Sequence, residues 1–131
     1  MASRKKGAQI LFPLESAEAF QKAVDDSDKF LAVVDVFQSW TGPTSVMEPV
    51  FRRIKMEKDK LMVKFYNVDE ALLTPEQRKQ FVPVAAQGGC KPLFVLIKNR
   101  VLVTKIVGAN APQVETEVVD NANLQTADQE E

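Results

Sequence analysis

Leu31-Ala32-Val33-Val34-Asp35-Val36-Phe37, followed after one residue by Ser39-Trp40-Thr41-Gly42-Pro43-Thr44, is the stretch on which the fold turns. The first part is a nearly unbroken apolar run, rich in β-branched residues, of strand length. Such a run lacks the alternation of a half-solvated strand and predicts one buried on both faces, the mark of a central parallel strand. Asp35 interrupts it. A carboxylate there is costly unless it is paired, hydrogen-bonded or protonated, and burial raises its pKa. Gly42 and Pro43 then break the strand. Beyond them Val46, Met47, Val50, Phe51 and Ile54 share one side of a helix, with Pro49 expected to kink its interior.

Working outward, residues 9–14 read as a short first strand. Ser16 is placed to cap a helix over 17–24, where Ala17, Phe20 and Val24 fall at helical spacing. Asp25, Asp26 and Ser27 form a polar break. Residues 61–68 read as a strand closed by Asp69. Thr74-Pro75-Glu76-Gln77 has the pattern of a capping box with proline at the first helical position. Its helix runs to about Val82, before Pro83. Residues 93–97 and 101–107 are strands joined by Lys98-Asn99-Arg100 as a hairpin, and Gly108 ends the second. A last helix spans about 112–119. The order β-α-β-α-β-α-β-β-α predicts an α/β fold with a mixed sheet covered by helices on both faces.

The 131 residues, 45% hydrophobic and 27% charged, suit one domain. The expected organisation is a basic tail over 1–8, with Arg4, Lys5 and Lys6, a domain over 9–120 and a polar acidic tail over 121–131. The net charge of −1 argues against nucleic acid as partner. No apolar run reaches the ~18 residues of a membrane span, and no secretory signal is read at the start. Histidine is absent and cysteine occurs once, as Cys90. Serine-histidine, cysteine-histidine and zinc chemistry are therefore unsupported. An intramolecular disulfide is impossible, and a reducing, intracellular setting is expected. No cofactor and no metal is called for, and no small-molecule substrate is expected.

Taken in order, these residues resemble the thioredoxin family over about 9–119. Val34-Asp35-Val36-Phe37 stands before Trp40 as that family's strand stands before its active-site tryptophan. Trp40-Thr41-Gly42-Pro43-Thr44 matches its Trp-Cys-Gly-Pro-Cys motif with both cysteines replaced. Pro49, Asn67-Val68-Asp69, Lys91-Pro92 before Leu93-Phe94-Val95, and Gly108 match further landmarks, Pro92 being the family's cis-proline. Val33-Val34-Asp35-Val36, Phe51-Arg52-Arg53-Ile54-Lys55 and Gly108-Ala109-Asn110-Ala111-Pro112 are similar to the thioredoxin-like light chains of axonemal outer-arm dynein and to thioredoxin domains of their relatives fused to nucleoside-diphosphate kinase. Two departures stand out. The stretch from Asp69 to Pro92 is longer than in a minimal thioredoxin. The resembling light chains commonly keep the cysteine pair, which this chain lacks.

Disulfide exchange needs a thiolate and a second sulfur. The hydroxyls of Thr41 and Thr44 supply neither, so Thr41 is read as a helix cap. Asp35 matches the family's buried acid but has no second cysteine to serve. Cys90, near Pro92, is a possible reactive thiol, although a lone cysteine is more often a small buried hydrophobe. The resemblance implies a peptide groove between Trp40 and the proline loop, with Trp40, Thr41, Pro43, Lys91 and Pro92 as contact residues. Arg52, Arg53, Lys55, Lys58 and Lys60 form a basic cluster, read first as a solvated helix face and second as a dock for an acidic partner.

The resemblance therefore implies a non-enzymatic, redox-inactive light chain, a binding subunit of an axonemal dynein complex that contacts a heavy-chain tail or intermediate chain. Its place would be the cytoplasm and cytoskeleton, in the axoneme of a cilium or flagellum. The rival readings are a monothiol redox protein using Cys90 and a thioredoxin-fold scaffold of another assembly such as the spliceosome.

Overall fold

A computed structural model describes residues 10–39, 46–82 and 93–124. The first strand, β1 (Leu11–Leu14), leads to α1 (Ala17–Asp25), which the Ser16 hydroxyl caps by accepting from the Ala19 N–H at 3.0 Å. The polar break after it is a single 3-10 turn, Asp26–Asp28. Then come β2 (Leu31–Phe37), α2 (Glu48–Glu57) and β3 (Leu61–Asp69). A 3-10 turn at Glu70–Leu72 precedes α3 (Pro75–Phe81). The chain finishes with β4 (Leu93–Lys98), β5 (Val101–Val107), α4 (Ala111–Asn121) and β6 (Asn123–Leu124).

The sheet order is β1-β3-β2-β4-β5. β3 pairs in parallel with both β1 and β2, while β2–β4 and β4–β5 are antiparallel. β2 is thus central, and its run of apolar residues is explained by cover on both faces. On one side Val34, Val36, Val68 and Val95 pack with Phe20, Val24 and Phe81. On the other Val33, Phe65, Phe94 and Leu96 pack with Phe51, Ile54, Val114 and Val118. Side chains alternate across the strand, so one β2 residue in two feeds each layer.

The capping box forms as the sequence predicts: Thr74 Oγ1 accepts from the Gln77 N–H, and Gln77 Oε1 accepts from the Thr74 N–H. Gln77 Nε2 also donates to the Ala17 carbonyl at 3.1 Å, tying α3 to the start of α1. Phe20 and Phe81 meet edge to face across the same contact. Gly108, at φ +97°, turns the chain out of β5 in a conformation that L side chains rarely adopt. Asn110 then caps α4 by accepting from the Gln113 N–H.

Three expectations need correction. Pro49 lies in the first turn of α2, not its interior. A missing N–H there breaks no helical hydrogen bond, so it introduces no kink. The last helix reaches Asn121, beyond the expected 119, and the next residues are not simply tail: Asn123 and Leu124 pair antiparallel with Met62 and Leu61. A two-residue strand carries no periodicity for sequence reading to find. The loop of the β4–β5 hairpin is Asn99-Arg100 alone, both at positive φ, 53° and 67°, since Lys98 belongs to β4.

Candidate functional site

The segments expected to carry the site follow β2 and precede β4 in the chain. Phe37 is in register with Asp69, and Val36 with Leu93. The chain therefore leaves β2 and enters β4 at the same end of the sheet, and α2 begins from that end. Trp40, Thr41, Gly42, Pro43, Thr44, Cys90, Lys91 and Pro92 lie outside the described residues. What is described is the frame that holds the two segments.

That frame is tied down by Ser39. Its Oγ donates to Asp69 Oδ2 at 2.5 Å, joining the exits of β2 and β3. The other carboxylate oxygen of Asp69 accepts from the Ala71 N–H at 2.9 Å and starts the 3-10 turn. A hydroxyl donating to a carboxylate is a charge-assisted bond, stronger than its neutral counterpart. Sequence alone does not show this role of Ser39, because its partner lies 30 residues away. Its only local signal is its place between the end of β2 and Trp40.

Asp35 is 1% exposed, flanked across the sheet by Asn67 and Phe94. It faces the layer that carries α2. There Phe51 stacks on Phe65, with ring centroids 4.3 Å apart, and meets Phe94 edge to face at 5.8 Å. Met47, fully buried, anchors the start of the helix on the same layer. The described helix starts at Glu48 with Met47 at the capping position and no side-chain cap. The cap expected of Thr41 lies outside the described residues. The reacting groups available at the motif are the Thr41 and Thr44 hydroxyls, and the chain's one cysteine cannot form an internal disulfide.

The basic cluster is largely consumed within the chain. Arg52 pairs with Glu48 at 2.8 Å. Arg53 joins α2 to α4 through both Glu115 oxygens, at 2.9 and 3.3 Å, and also reaches Glu57. Lys58 lies 3.9 Å from Glu115. The hydrogen bond from Arg53, with its positive charge, holds the Glu115 carboxyl below the usual carboxylate range. Lys55 donates to the Val63 carbonyl, and burial, then the charge of Lys64, lowers its pKa. These cations mostly fasten α2 to its surroundings, pairing with acids of the chain itself where a bare solvated face was expected, and this weighs against a dock for an acidic partner. Among the described residues no cluster of three potential metal ligands occurs, and no helix is long and apolar enough to cross a membrane.

The family model described as Thioredoxin matches residues 12–120. Thioredoxin domain-containing protein 3 of Homo sapiens is 32% identical over 124 residues, covering 92% of this chain and 19% of that protein. The Dynein 14 kDa light chain, flagellar outer arm, of Chlamydomonas reinhardtii is 37% identical over 84 residues, 64% of this chain and 60% of its own length. The Dynein 16 kDa light chain, flagellar outer arm, of the same alga is 34% identical over 107 residues, 79% of this chain and 65% of its own. The chain thus spans under two thirds of each of these relatives. Among solved structures, Schistosoma mansoni thioredoxin superposes with a TM-score of 0.61 at 27% identity, over 85% of this chain and 94% of that one. A Nicotiana alata thioredoxin, 24% identical with a TM-score of 0.64 over 88% of this chain and 95% of that one, shares the fold.

Proposed function

The chain belongs to the thioredoxin family, and from that membership we propose that it is a redox-inactive light chain, a binding subunit of an axonemal outer-arm dynein. The observation that carries this reading is the combination of a family fold with Thr41 and Thr44 at the two cysteine positions. A hydroxyl is barely ionised near neutral pH and forms no bridge with its neighbour, so the chemistry of the motif is gone while its surroundings persist. Similarity to two light chains named for the flagellar outer arm supports the choice of assembly. The mechanism is occupancy: a folded surface is presented to a heavy-chain tail or an intermediate chain. Trp40, Thr41, Pro43, Lys91 and Pro92 are the contact residues to test, and the axoneme of a cilium or flagellum is the place to look.

Affinity purification of the tagged full chain from ciliated cells tests the assembly. Outer-arm dynein subunits are expected among the co-purifying proteins. Recovery of splicing factors without dynein subunits would sink this reading in favour of a scaffold elsewhere. Insulin reduction tests the absence of redox activity. No turnover above background is expected, and turnover abolished by Cys90→Ser would establish a monothiol enzyme instead.

A further inference from the structure

A second surface lies on the α1 side of the sheet. Ala19 and Ala23, one turn apart on α1, leave space against Phe12, Leu14 and Tyr66 of β1 and β3. The result is a groove of about 360 Å³, within the range of pockets that hold ligands or side chains. Its walls are mostly apolar, and Phe12 at its lip is 42% exposed. The side chains of Lys22, Lys64 and Asp26 complete its lining, two lysines against one aspartate.

We propose that this groove docks an acidic, amphipathic helix of a partner protein, apolar side chains in the groove and carboxylates against Lys22 and Lys64. Charge complementarity selects this occupant. Among the described residues neither lysine is in an ion pair, and Lys64 only lies over the Phe30 ring at 4.4 Å. Arg52, Arg53 and Arg100, by contrast, are each paired with acids of the chain itself. Two cations against one anion leave a positive balance over an apolar floor, and that combination suits leucines flanked by glutamates. Strand addition is disfavoured at this edge. β1 is four residues long and contains Pro13, which offers no N–H to a further strand. The partner therefore engages through side chains. This inference stands independently of the dynein reading.

The test is a titration of the isotope-labelled full chain, followed by NMR, with a synthetic helical peptide carrying leucines at i, i+3, i+4 and i+7 and glutamates beside them. Saturable shifts are expected at the amides of Phe12, Ala19, Ala23 and Tyr66. The surface variants Lys22→Glu with Lys64→Glu should weaken binding roughly tenfold with an unchanged thermal melt. Phe12→Ser, at an exposed position, should weaken it as well. No saturable shift overturns the proposal. So does equal binding by a peptide with lysines in place of the glutamates, or the same shifts from dodecanoate alone, which would make the groove a small-amphiphile site.

Discussion

The Ser39 hydroxyl donates to the Asp69 carboxylate at 2.5 Å and so clamps the exit of β2 to the exit of β3. The clamp stands one residue before Trp40, between the buried frame and the segment that carries the family motif. Ser39→Ala should lower stability by about 1 kcal/mol in a denaturant melt, the usual net worth of one hydrogen bond at a partly solvated site. Asp69→Ala should cost more, because it also removes the acceptor for the Ala71 N–H. Ser39→Ala added to Asp69→Ala should cost almost nothing further. Full additivity of the two would show that the clamp is absent in solution.

Arg53 and Glu115 link α2 to α4, and the link is sensitive to acid. The folded-state pKa of Glu115 is depressed, chiefly by the hydrogen bond from Arg53. Its contribution to stability is therefore present above the ordinary carboxylate range and lost as pH falls through the depressed value. Melting temperature followed against pH should drop less steeply in Glu115→Gln than in the parent below about pH 4.5. The difference should shrink in high salt, since both groups are partly exposed. Parallel profiles would show that the pair does not couple to folding.

Phe51 stacks on Phe65 and closes the layer above Asp35. Phe51→Ala should destabilise by roughly 3–5 kcal/mol, as large aromatic deletions in a packed core do. Phe51→Leu, which refills part of the space, should cost markedly less. Chemical denaturation measures both, and equal losses would mean that ring packing is unimportant there.

Tyr66 is the chain's one tyrosine, so phenolate absorbance reports it directly. Burial first, and the charge of Asp26 second, raise its pKa above 10.0. A raised value stabilises the folded state fully below the unfolded pKa, and that contribution disappears as pH rises through the folded one. The titration midpoint should therefore lie above that of free tyrosine. A Tyr66→Phe variant should lose less stability than the parent between about pH 10 and 11. A midpoint at the free value would contradict the buried placement.

Much of this was legible along the chain, because its causes are local. Ser16 and the Thr74–Gln77 capping box act within one turn, and the apolar run 31–37 declares a strand covered twice. The element order followed from such signals. What escaped were consequences of contacts between distant residues. Pro49 reads as a kink until the start of α2 is known. Arg53 reads as part of a bare cationic face until Glu115, 62 residues on, is brought beside it. The groove beside Phe12 needs two alanines on α1 and two strands that are not neighbours in sequence. The motif itself was legible as a pattern, and its contact residues stand as proposals.

The β4–β5 turn has one further consequence, for how the chain folds. Asn99 and Arg100 both adopt a left-handed backbone that is unfavourable for an arginine in isolation. Their amides donate to the carbonyl and hydroxyl of Ser27, and the Arg100 guanidinium reaches Asp28 at 2.9 Å. The hairpin thus relies on a turn more than 70 residues earlier to hold its own bend. It gains its full stability only once α1 and its terminal turn are in place. The first and last thirds of the chain are expected to melt together, and hydrogen exchange at Asn99 and Arg100 should follow the opening of α1, not a local fraying of the hairpin tip.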